Sequence, residues 1–377
     1  MHEMRYSRVF AIAVTIATAL IPSYWASAQE NQGYGIKIYR VESGLFPYVY
    51  VYFRTFNQDM EPLINLNYAN IGLMVMGKAY DPQKGQYAIK PLRQRPEAVR
   101  TVLVLDASKS MCGKPFDTAL EAAARYIDQK RPQDQIAILA VRDTPEGYDL
   151  ISTWERSQGS GELNRGTLGR RLLDIRCDGM KSRIYDTIGA AIQMAGIVAQ
   201  ESINRSNDSE KAQDYAVSSA IVVFSDGHDE GSALSREDLN TRITNLQTPI
   251  PIYSIVYPQT DYFKNLEALS KNSFGKYYPV GQKIENIQKD VEEIQNIILD
   301  DYVLTFHAYL KEPDGEQHSF KLGVEYPSGS GKYLYETAKF EALDLSAVKP
   351  IAEQIERLKL LMPPVKDNDP YLKRQTP

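Results

Sequence analysis

The sequence predicts an α/β fold: a doubly wound, mostly parallel six-stranded sheet inserted in or flanked by a β-sandwich-like region. Three observations point there. From about residue 100 to 300, short apolar runs alternate with stretches of helical period, as when parallel strands are joined through helices. Runs such as AIVVF are apolar without a break, as strands covered on both faces tend to be. On either side of this unit the period changes to two.

Residues 1–28 read as a secretory signal peptide. Arg5 and Arg8 give a positive start, VFAIAVTIATALI is a short apolar core, and Ala26-Ser27-Ala28 is a small-x-small cleavage site. Cleavage after Ala28 implies a secreted or periplasmic protein. No later stretch approaches roughly 18 apolar residues, so no membrane span is expected.

Residues 29–99 form a β-rich segment, expected to be the first half of a sandwich. FPYVYVYFRTF alternates with period two, IGLMVMGKAY is a further strand, and NQDMEP and YDPQKGQ are turn-like breaks. The α/β unit at 100–300 begins with the strand TVLVL. A helix over PFDTALEAAARYIDQ follows, with Pro115 at its start and Phe116, Leu120, Ala123 and Ile127 on one face. QIAILAV and YDLISTW are the next strands. SRIYDTIGAAIQMAGIVA places Ile184, Ile188, Ala191, Ile192 and Ala195 at helical spacing. SSAIVVFSDG is a fourth strand, ending in an acid. SREDLNTRITNLQ has a serine cap and acids in its first turn. PIPIYSIVYP, a helix around KNLEALSKN, the strand GKYYPV and the helix IENIQKDVEEIQNII complete the unit.

Period-two alternation returns in YVLTFHAYL, HSFKLGVEYP and GKYLYETAKF, so 301–345 is expected to be the second half of the sandwich. The termini of a domain tend to lie close together, which makes such an insertion easy. Residues 346–377 read as an amphipathic helix and a loose tail. PSGSGK departs from a phosphate loop at both ends of that motif and reads as a hairpin turn.

Hydrophobic residues at 43% and charged residues at 24% suit a globular protein with a substantial core. A net charge of −5 without a long basic run argues against nucleic acid as the partner. Asn204 and Asn207 head Asn-x-Ser sequons, which carry meaning only in a eukaryotic secretory route.

Ligand sites in open α/β sheets lie at the carboxyl ends of strands. Three such ends are polar here. The first offers Asp106, Ser108 and Ser110; the loop CDGMKSRIYD offers Ser182 and Asp186; FSDGHDE offers Asp226. Carboxylates and small hydroxyls supply oxygen alone, the donor set of a hard cation: Mg²⁺, or alternatively Mn²⁺ or Ca²⁺. Hydroxyl donors leave the ion under-neutralised, with affinity for an acidic group brought by a partner. Single residues of these types also cap helices and turn loops.

DASKS, then SRIYD, then SDG resembles the von Willebrand factor type A (vWA) domain with its metal-ion-dependent adhesion site. In that family the motif is Asp-x-Ser-x-Ser, a later Thr, and an Asp after the fourth strand. The resemblance covers about 100–300 and implies that Asp106, Ser108, Ser110, Ser182 and Asp226 bind metal, Ser182 standing where Thr is expected. It implies a non-catalytic protein whose partner presents an exposed Asp or Glu to the metal. It also implies that the helix around 284–299 is the last of the domain.

Cys112 and Cys177 each lie beside one of these loops, and an exported chain favours a disulfide between them that braces the loops. Two further functions stay open. A secreted hydrolase needs a nucleophile with a base, and only His228 lies near the site, without a nucleophile elbow. A structural scaffold would make no use of metal.

Overall fold

The protein is described by a computed structural model covering residues 33–154, 161–196, 216–246, 248–257, 261–280, 284–310 and 312–374. The signal peptide expected at 1–28 and the sequons at Asn204 and Asn207 lie outside these residues.

The chain begins with strands β1 (Tyr34–Leu45), β2 (Tyr48–Asn57), β3 (Ile71–Val75), β4 (Lys78–Ala79) and β5 (Tyr87–Pro91). The α/β unit runs β6 (Ala98–Asp106), α1 (Lys114–Gln129), β7 (Gln135–Val141), β8 (Tyr148–Ser152), α2 (Gly161–Leu173), α3 (Ile184–Gly196) and β9 (Ala216–Ser225). It continues with α4 (Arg236–Thr244), β10 (Ile252–Val256), α5 (Phe263–Asn272), β11 (Tyr277–Pro279) and α6 (Ile284–Leu299). Then come β12 (Tyr302–His307), β13 (Gln317–Glu325), β14 (Tyr333–Glu341), α7 (Lys349–Leu361) and β15 (Lys373–Arg374).

The six strands of the α/β unit form one sheet in the order β11-β10-β9-β6-β7-β8. All neighbours are parallel except β8, which runs antiparallel to β7 at the edge. Burial on both faces explains the unbroken apolar runs. Leu103, Leu105, Val222 and Phe224 face a layer containing α1, α2 and α6. Val102, Val104, Ile221 and Val223 face α3, α4 and α5 on the other side. Helix α1 starts behind Gly113, whose φ of +89° suits a residue without Cβ.

Strands from before and after this unit share two antiparallel sheets. β12 lies between β2 and β5, and β13 lies between β14 and β3. Their facing sides meet in one core: Val51, Phe53, Leu304 and Phe306 from the first sheet, Leu73, Val75, Phe320 and Leu322 from the second. The rings of Phe306 and Phe320 sit 5.5 Å apart across it.

Four local features differ from the sequence reading. IGLMVMGKAY is not one strand but the hairpin β3–β4, turning at Met76 and Gly77, both at positive φ. The long strand β1 precedes the run that the period-two pattern picked out. Helix α2 was not legible, because Gly166 and Gly169 interrupt it and Leu168 and Leu172 are its buried apolar contacts among the described side chains. The tail beyond α7 is docked rather than loose: Val365 and Leu372 are buried, and β15 pairs with β4. PSGSGK does form a hairpin turn, between β13 and β14. The Glu325 carboxylate accepts from Gly331 N–H and Ser330 Oγ, so the protein's own anion fills the loop.

Candidate metal centre

Asp106 is the last residue of β6, at the middle of the sheet. Its carboxylate organises the surrounding loops. Oδ1 accepts from the Ser108 amide at 3.0 Å, and Oδ2 accepts from Ser182 Oγ at 3.1 Å and Ser225 Oγ at 2.6 Å. The hydroxyls of Ser108 and Ser110 are 3.2 Å apart. Asp226, directly after β9, accepts from the His228 amide at 3.0 Å.

Backbone contacts hold the three loops together. Ser108 and Gly179 form a parallel bridge, and the Gly179 amide donates to Ala107 O at 3.1 Å. A Cβ on Gly179 would stand 3.1 Å from that oxygen, so the close approach favours glycine. The Glu230 amide donates to Ser182 O at 2.5 Å. Asp186, offered by the sequence as a possible site residue, instead accepts from the Ala233 and Leu234 amides at 2.9 Å and pairs with Arg183. Asp186 therefore shapes the third loop from the second. Cys112 and Cys177 form a disulfide between the first and second loops, with Cα atoms 5.4 Å apart.

Asp106, Ser108, Ser182 and Asp226 are almost fully buried, at 0, 2, 2 and 1% exposure, whereas Ser110 is exposed. Burial pushes the Asp106 carboxyl up, the hydrogen bonds from Ser108 and Ser225 pull it back, and the Asp226 charge adds to the rise. Neither carboxylate forms an ion pair among the described residues. Two buried carboxylates without an ion-pair partner among the described residues, ringed by hydroxyls, fit a hard divalent cation. No three His, Cys, Asp or Glu side chains come together among the described residues. The candidate set is instead two carboxylates and three hydroxyls. Ser225 is the contributor the sequence reading missed; its position as the last residue of β9, beside Asp226, was the available signal.

Residues 101–228 match the family model of the von Willebrand factor type A domain. This part of the chain is a vWA domain. The match takes in Asp106, Ser108, Ser110, Ser182 and Asp226. A search of curated proteins finds no match. Among solved structures, the chain is similar to a von Willebrand factor type A protein from Catenulispora acidiphila, with 11% identity, 76% of this chain and 77% of that one covered, and a TM-score of 0.43. It is also similar to the ArnB paralog VWA2 from Sulfolobus acidocaldarius (12% identity, 87% and 82% covered, TM-score 0.36). A third is the manganese-loaded TRAP protein of Plasmodium vivax (9% identity, 68% and 96% covered, TM-score 0.37).

Around the vWA site, His228 does not hydrogen-bond to a serine among the described residues; its ring lies 4.6 Å from that of Tyr262. Among the described residues no helix is long and apolar enough to cross a membrane.

Proposed function

We propose that this is an exported, non-catalytic vWA-domain protein that binds a protein partner through a divalent cation. Asp106, Ser108, Ser110, Ser182 and Asp226 hold the cation, Mg²⁺ or alternatively Mn²⁺ or Ca²⁺, and an exposed Asp or Glu of the partner completes its shell. The observation that carries this reading is the pair of buried carboxylates, Asp106 and Asp226, at the ends of adjacent strands, with hydroxyls from two loops and no ion pair to either carboxylate among the described residues. When bound, the ion supplies the missing positive charge and an attraction for one more anionic oxygen. The protein's own contribution is to fix the donors. Ser225 and the Ser108 amide orient Asp106, and the Ser108–Gly179 bridge sets the second loop against the first. Export is supported by the N-terminal sequence and by the Cys112–Cys177 disulfide.

The test is a pull-down from native extract with Mg²⁺, repeated with chelator and with Asp106→Ala, whose fold is checked by circular dichroism. A partner captured in Mg²⁺ alone is the expected result. A partner retained in all three conditions would defeat the metal-bridged mechanism.

A further inference from the structure

The rim of the candidate site says more about the partner than its floor does. The floor is anionic, formed by Asp106 and Asp226. The rim carries two lysines and apolar side chains beside two exposed acids, Asp178, which is paired with Arg142, and Glu230. Lys109 stands between Ser108 and Ser110, and Lys181 directly precedes Ser182; both are exposed and neither forms an ion pair among the described residues. The Ser108–Gly179 bridge brings these two loops side by side, so the two lysines belong to one edge. Glu230, on the third loop, is the exposed acid nearest in the chain to Asp226. Apolar surface lies beside these charges: Met180 is 66% exposed, and Tyr262, whose ring is tilted against that of His228, is 48% exposed. Tyr262 is held at the site by backbone packing, since a Cβ on Gly227 would come within 2.9 Å of its carbonyl oxygen.

From this charge complementarity we infer that the partner docks through a segment carrying a second acidic residue and a neighbouring apolar side chain. This rests on the metal-dependent reading above. One acid reaches the metal position, the second meets Lys109 and Lys181, and the apolar side chain covers Met180 and the His228–Tyr262 pair. Lys109, Lys181 and Tyr262 are then specificity-determining residues. Exposed charge pairs contribute little individually, so the second acid should strengthen binding by roughly fivefold and lose that gain at high salt.

The test is panning of a displayed library of random linear peptides on the purified chain in Mg²⁺, with elution by chelator. Lys109→Ala/Lys181→Ala and Tyr262→Ala are panned in parallel. The expected clones carry two nearby acids and an aromatic or large aliphatic residue. The double lysine variant should lose enrichment of the second acid, and Tyr262→Ala that of the apolar residue, while both keep chelator elution. Clones with a single acid and no further preference, or the same preferences on the variants, would overturn this inference and leave the metal reading standing. An absence of chelator-eluted clones on the wild-type chain would overturn both.

Discussion

Arg54 and Asp301 form a buried bidentate ion pair, Nε to Oδ1 and Nη2 to Oδ2, both at 2.8 Å. Arg54 lies on β2 and Asp301 between α6 and β12, and Arg54 Nη1 also donates to Phe274 O at 3.4 Å. One side chain thus ties the flanking sheets to the end of the last vWA helix and to the loop before β11. Removing one partner strands a buried charge. Arg54→Met or Asp301→Asn should each cost about 3–5 kcal/mol, read from urea denaturation midpoints. Arg54→Met combined with Asp301→Leu should cost less than either single change. Additive losses would mean that the two residues act independently.

The Cys112–Cys177 bond closes a sequence separation of 65 residues. In the chain-entropy model, opening such a loop removes about 4 kcal/mol of stability. Treatment with a thiol reductant should lower the denaturation midpoint accordingly, and the Cys112→Ser/Cys177→Ser variant should match the reduced protein. Alkylation without reductant should leave the mass unchanged. Two alkylated cysteines in the purified, oxidised protein would refute the bridge.

Ser225→Ala removes the 2.6 Å hydrogen bond to Asp106 while leaving every proposed metal donor in place. Outer partners that orient a ligand typically change metal affinity by about 10–100-fold. A Mg²⁺ affinity at least about tenfold weaker, with an unchanged circular dichroism spectrum, is the expected result. Wild-type affinity in this variant would show that the hydroxyl does not orient the carboxylate.

His307 sits at the end of β12 with its pKa pushed down to about 4 by burial. Its Nδ1 accepts the Val365 amide at 3.1 Å, a bond that needs the unprotonated nitrogen. In the unfolded chain the same ring titrates near about 6.5. Between these values the unfolded state binds the extra proton, so stability is full above about pH 6.5 and falls as pH drops towards about 4. The loss from this group is about 3 kcal/mol at most. Unfolding free energies at pH 7.5 and 4.5 should differ less in His307→Gln, which keeps an acceptor without titrating in this range. An identical pH dependence in both proteins would remove His307 as the cause.

The α/β unit was legible because burial on both faces writes itself directly into composition: Val102–Leu105 and Ala220–Phe224 admit no polar residue. Ser235 likewise announced α4, and its hydroxyl does accept from the Asp238 amide at 3.0 Å. The first polar residues beyond the strands pointed to the candidate site for the same reason. Other features left weaker marks. Helix α2 has a narrow apolar stripe broken by glycines, and the β3–β4 turn uses Met76 where a hairpin signal would show Asn or Asp. The docked tail depends on single contacts, such as Lys78 with Asp367 and Val365 with His307, which have no periodicity to detect. Ser225 escaped notice because a serine closing a strand has no pattern of its own; its role depends on the parallel register that sets β9 beside β6.

Metal binding by the five oxygen donors is tested most directly by calorimetric titration of the purified chain with Mg²⁺, alongside Asp226→Ala and Ser182→Ala. One saturable site in the wild-type chain, lost in Asp226→Ala and weakened in Ser182→Ala with the fold intact, is the expected result. No saturable binding of Mg²⁺, Mn²⁺ or Ca²⁺ by the wild-type chain, or undiminished binding in Asp226→Ala, would contradict it.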